Sequence, residues 1–118
     1  PEMSVQINGA NTALADDYYE CVLTVTVTVK QNEKTAFLIE VQQAGVFVIK
    51  GYPEDSLQGI LATHCLEILF PYAREEVSSL VLKGGFPQLT LSPVNFNALY
   101  QQQLEAQRTT SEQKESAH

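Results

Sequence analysis

At 118 residues the chain has room for one domain with a modest core, and 44% hydrophobic against 18% charged residues is a composition that folds. Its net charge of -7, from 14 acidic and 7 basic residues, comes without any Lys/Arg cluster, which excludes nucleic acid and an anionic membrane surface as partners. An acidic chain attracts basic partners, although solubility alone would also account for the charge.

The first predicted element is a short strand in which Met3, Val5 and Ile7 alternate with Ser4, Gln6 and Asn8 up to Gly9. Residues 11–17 read as a loop. The clearest pattern runs from Tyr18 to Lys30, where Val25, Val27 and Val29 face one side and Thr24, Thr26 and Thr28 the other. Gln31-Asn32-Glu33-Lys34 has the length and polarity of a hairpin connection. A further strand spans Thr35 to Gln43. Ala44-Gly45 marks a bend or bulge, after which Val46 to Lys50 continues that strand or begins a fourth.

The period then changes from two to about 3.6. Asp55 or Ser56 can cap a helix carrying Leu57, Ile60, Leu61, Cys65 and Ile68 on one face. Phe70-Pro71 is expected to interrupt it, because proline lacks an amide donor and clashes with the turn before it. The helical pattern resumes through Ala73, Val77, Leu80 and Val81 to a stop at Gly84-Gly85. FPQLTLSP, Phe86 to Pro93, should be extended, and Ser92 with Pro93 can open a last helix through Phe96, Leu99, Tyr100 and Leu104. Residues 108–118 are polar without an apolar period and are expected to form a disordered tail beyond a domain of residues 1–107. Strands first and helices afterwards predict an α+β fold, an antiparallel four-stranded sheet with helices packed on one face.

Little in the chain suggests catalysis. His64 and Cys65 are adjacent and therefore diverge on a helix, and no further ligands group with them, so neither a metal site nor a Cys-His nucleophile is expected. Asp16, Asp17 and Glu20 read as a solvated junction, Arg74-Glu75-Glu76 as a wet helix face, and no phosphate loop or dinucleotide fingerprint is present. Cys21 and Cys65 fall among apolar neighbours and read as small buried hydrophobes of a reducing cytosol. No signal peptide and no apolar run of membrane-spanning length stands out. The opening at Pro1, without Met and directly into strand-like sequence, reads as a fragment whose natural beginning is missing.

The strand from Phe37 to Gln43 carries two chemistries. Phe37, Ile39, Val41 and Gln43 point one way, and Leu38, Glu40 and Gln42 the other. Leu38 beside Glu40 is either one exposed leucine or a small docking spot with an apolar centre and a charged neighbour. Among the aromatics Phe37, Phe47, Phe70, Tyr72, Phe86 and Phe96, most must be core. Those near Phe70-Pro71 and FPQLTLSP could line a groove that holds extended polypeptide without reading its sequence.

LADDYYECVLTVTVTVKQNEKTAFLIEVQQAGVFVIKG, ILFPYARE and GGFPQLTLSPVNFNALY closely resemble the SecB family of bacterial export chaperones, from Pro1 to about Gln103. The resemblance implies a cytoplasmic homotetramer, a dimer of dimers, that binds unfolded precursor proteins without ATP. It implies delivery of those clients to the SecA motor, whose C-terminal segment holds zinc, so that no cofactor is expected in this chain. By position, Met3, Phe37, Val41, Gln43 and Tyr72 match the client groove, and Leu38 and Glu40 match SecA docking on the open sheet face. Ile39, Val41 and Gln43 also match positions that influence tetramer assembly; Ile39 stands where relatives can carry cysteine. The family's N-terminal segment, with a first strand and acidic SecA contacts, is not in this sequence. Two rivals stay open: a SecB-like chaperone dedicated to one client such as an antitoxin, and a domain that binds an apolar small molecule.

Overall fold

The computed structural model describes residues 2–116, with side chains through 109. Three strands come first, β1 (Glu2–Ala15), β2 (Tyr18–Gln31) and β3 (Lys34–Val48), followed by helices α1 (Glu54–Ala62), α2 (His64–Lys83) and α3 (Phe96–Ser116). The fold is α+β, as the sequence predicts. The sheet is antiparallel in the order β1-β2-β3, so it holds three strands rather than the expected four. One strand is lost because β3 runs through Ala44-Gly45 into Phe47 without a break, and residues 11–15 also belong to β1 rather than to a loop.

Both hairpins turn in two residues. Asn32 and Glu33 take positive φ of 54° and 67°, the backbone hand that matches the twist of the strands they join. Asp16-Asp17 closes the other, with Asp17 at φ 65°. The register shifts fall at Leu14, between the pairs of Ala13 and Ala15, and at Ala36, where Lys30 pairs with Thr35 but Val29 with Phe37. No shift falls at Ala44-Gly45, since Ala44 and Gly45 pair regularly with Val22 and Cys21.

β2 explains the core. Cys21, Leu23, Val25 and Val27 have no exposed surface, while Val22, Thr24, Thr26 and Thr28 between them are only half-buried. The buried set meets Leu61 of α1, Leu66, Leu69, Ala73 and Val77 of α2, and Phe96 of α3. Each such buried aliphatic contributes about 1.5–3 kcal/mol. Two glycines let α2 approach: a Cβ on Gly9 would stand 2.6 Å from Leu66 Cδ1, and one on Gly45 3.0 Å from Leu69 Cδ2.

The helices differ from expectation at their ends. α1 begins after Pro53, whose carbonyl accepts from the Ser56 and Leu57 amides, rather than at a cap on Asp55 or Ser56. The break falls at Thr63, not at Phe70-Pro71. Thr63 leaves helical geometry at φ -121°, ψ -71°, and its hydroxyl donates to the Gly59 carbonyl at 2.6 Å. α2 then continues through Pro71. Proline costs a helix interior about 3 kcal/mol, but Leu69, Phe70, Ala73 and Val77 on either side of it are buried together, and that burial exceeds the cost. α3 starts at Phe96, where Asn95 Oδ1 accepts from the Ala98 amide at 3.0 Å. Ser92-Pro93 remains in the extended segment. α3 is helical to Ser116 and so includes most of the residues expected to form a tail. Among the described residues no helix is long and apolar enough to cross a membrane.

Candidate functional site

One row crosses all three strands near an end of the sheet: Met3 pairs with Val29, and Val29 with Phe37. All three side chains lie on the helix-bearing face. The extra residue at Ala36 bends β3 just before Phe37. Opposite the row runs the extended segment 86–94, which joins α2 to α3. Phe86 meets Phe37 with ring centroids 4.3 Å apart and planes inclined at 41°. Between row and segment lies a cleft of about 390 Å³, walled chiefly by Met3, Val29, Phe37, Phe86, Pro87 and Leu89.

A second cleft, of about 260 Å³, continues on the other side of Met3. Val5 and Ile7 of β1 face Phe70, Leu91 and Val94 across it. Phe70 is held beneath by an edge-on contact with Phe96 at 5.8 Å, and the Arg74 guanidinium sits 5.8 Å from the Phe70 ring centre. Among the described residues β1 pairs with β2 and is an edge strand of the sheet, and its Met3, Val5 and Ile7 line these clefts. Apolar walls beside an edge strand suit an extended chain with apolar side chains.

The predicted residues separate as the alternation demands. Phe37, Ile39, Val41 and Gln43 pair with Val29, Val27, Val25 and Leu23 and share their face. Of these, Phe37 together with Met3 lines the first cleft. Val41 is 6% exposed and belongs to the core, Ile39 packs on that core, and Gln43 is half-buried further along the strand. Tyr72 is 63% exposed on α2 and borders neither cleft. Leu38, 58% exposed, and Glu40 lie on the open face of the sheet. Sequence reasoning reached Phe86 through the FPQLTLSP segment but not Val29 or Leu89. Both read as ordinary strand or loop residues until the segment folds back over the sheet.

The two thiols meet inside the core. Burial pushes Cys21 up to about 12, and the neighbouring Cys65 adds to the rise. Burial likewise raises Cys65, against a hydrogen bond from Cys21 that lowers it. Both are free. Among the described residues no three His, Cys, Asp or Glu side chains group to hold a metal.

The family described as Preprotein translocase subunit SecB matches residues 1–107. The chain is 53% identical over 103 residues to the protein-export protein SecB of Nitrosococcus oceani, covering 87% of this chain and 63% of that protein. Against the SecB of Alkalilimnicola ehrlichii the identity is 52% over 115 residues, 96% of this chain and 61% of the relative. The chain thus spans about three-fifths of the length of these relatives. In fold it is similar to a Mycobacterium tuberculosis SecB-like chaperone, solved in complex with a ChAD peptide from an antitoxin. That likeness has a TM-score of 0.70 at 19% identity, over 80% of this chain and 72% of the other. A family match over nearly all of the chain and identities near one half leave one conclusion: the chain belongs to the SecB family.

Proposed function

We propose that this chain acts as an ATP-independent export chaperone, which binds precursor proteins while they are unfolded and passes them to the SecA motor. The observation that carries this reading is the pair of apolar clefts laid along β1, an edge strand among the described residues. Unfolded clients expose runs of apolar side chains together with unpaired backbone, a combination that folding largely buries. Met3 and Phe37 contact the client directly. Val41, Gln43 and Tyr72 line neither cleft and enter this reading only as positions that match the client groove of the SecB family.

In a cytoplasmic homotetramer, a dimer of dimers, several such grooves engage one client, and weak contacts gain strength through effective concentration. Ile39, Val41 and Gln43 support that assembly. Leu38 and Glu40 dock SecA through its zinc-binding C-terminal segment, so zinc in the complex belongs to the partner. The -7 charge favours basic clients. No residue is assigned a catalytic role.

The test is titration of a labelled precursor against the purified protein by fluorescence anisotropy, with the folded precursor as control. Saturable binding of only the unfolded form without nucleotide is the expected result. Absence of binding by a confirmed tetramer overturns it. The fold neighbour was solved with an antitoxin peptide, which favours a dedicated-client chaperone as the second reading; there, one client would bind far more tightly than any generic unfolded chain.

A further inference from the structure

Segment 86–94 forms one wall of both clefts and packs Leu89, Leu91 and Val94 on the core, yet few hydrogen bonds tie it to the body. At its start the Phe86 amide donates to the Val81 carbonyl at 3.2 Å, and Phe86 rests on Phe37. Leu91 anchors it in the core at 5% exposure. Between these points, among the described residues, one hydrogen bond ties the segment to the body: Ser78 Oγ of α2 donates to the Leu89 carbonyl at 2.8 Å. That bond is partly buried, and Leu89 is itself a wall of the aromatic cleft.

We infer that Ser78 is a positioning residue whose hydroxyl latches segment 86–94 to α2, fixing the place of the Leu89 wall relative to the contacting Phe37–Phe86 pair and so the preference of the cleft for aromatic over aliphatic client side chains. This rests on the chaperone reading above. The physical reason is geometric. An aromatic ring needs two surfaces held a set distance apart, whereas aliphatic side chains adapt to a wall that moves. Without the hydroxyl, the Leu89 carbonyl loses its partner and turns to water, and the segment lifts between its two anchors. With it, Leu89 keeps its place in the cleft wall beside the contacting Phe37–Phe86 pair, against which a client ring rests.

The test uses the full chain as wild type, Ser78→Ala and Ser78→Thr. Two labelled extended peptides of equal length and charge, one rich in Phe and one in Val, are titrated by anisotropy. Thermal melting and the oligomeric state are recorded for each variant. In parallel, chymotryptic cleavage after Leu89 is timed in the absence of peptide. Ser78→Ala should lower the Phe-to-Val affinity ratio by about fivefold, the worth of one ordinary hydrogen bond, and should speed cleavage after Leu89. Ser78→Thr, which keeps the hydroxyl, should restore both. An unchanged cleavage rate overturns the latch, and faster cleavage with an unchanged ratio overturns its control of selectivity. A wild type that binds neither peptide overturns the chaperone reading and the selectivity with it, while cleavage still reports whether the latch exists.

Discussion

The two faces of the sheet are built from the same strands and much the same β-branched residues, yet they have opposite fates. On the helix side Cys21, Leu23, Val25 and Val27 are sealed from solvent. On the open side Thr24, Thr26 and Thr28 are half-buried, and Leu38, Val46 and Val48 are more than half exposed. Since successive side chains on a strand project to opposite faces, one strand can hold the core together and still offer a contact surface. Changes on one face then need not disturb the other.

The hardest way to break that comparison is to empty the core. Leu23→Ala should cost about 2–5 kcal/mol by cavity formation, read as a large fall in melting temperature. A loss under 1 kcal/mol would mean that the helix side is not the sealed core that its burial implies. Raising the pH attacks the same layer. Because burial lifts Cys21 from 9.0 to about 12, its contribution is fully present below pH 9 and is lost as pH rises from there toward 12. The stability of a Cys21→Val variant, followed by denaturant melts, should fall less steeply over that window.

Phe37→Ala sharpens the contrast at the site. It removes a ring from the cleft and the stack on Phe86, and should weaken unfolded-client binding about tenfold, within the range of one aromatic contact plus its buried area, while SecA docking is spared. Glu40→Ala should do the reverse, reduce SecA docking and leave stability within about 0.5 kcal/mol, as for ordinary surface substitutions. If each substitution weakened both activities equally, the two faces would not be separate. The smallest effect lies at the far turn. Glu33 sits at φ 67°, where a side chain is disfavoured, so Glu33→Gly should stabilise by about 0.5–1 kcal/mol with binding unchanged. Destabilisation there would show a contact of the glutamate that the turn geometry does not explain.

Local pattern made some of this legible and concealed the rest. The alternation around Val25 correctly divided Phe37, Ile39, Val41 and Gln43 from Leu38 and Glu40, because period two is a property of the strand itself. The same rule could not tell that Val41 would be sealed at 6% exposure while Phe37 stayed open to a cleft. That depends on where α2 ends its cover of the sheet. Pro71 was misleading for a related reason. Its local penalty is real, but the burial of Leu69, Phe70, Ala73 and Val77 lies outside any local window. The bulge at Ala36 likewise carries no glycine or proline to announce it.

What the sequence determined by itself is the α+β order, the polar hairpin connection at Gln31-Asn32-Glu33-Lys34, the two chemistries of the strand from Phe37 and, through its likeness to SecB, the family. Each is fixed by neighbours within a few residues or by the residue string as a whole. What only the tertiary structure decided is the cleft. Met3, Phe37 and Phe86 come from three distant segments, and meet because strand register places Met3 and Phe37 in one row and segment 86–94 folds back across them. No local preference encodes that meeting; it follows from burying Leu89 and Leu91 against a core that exists only once the chain has closed.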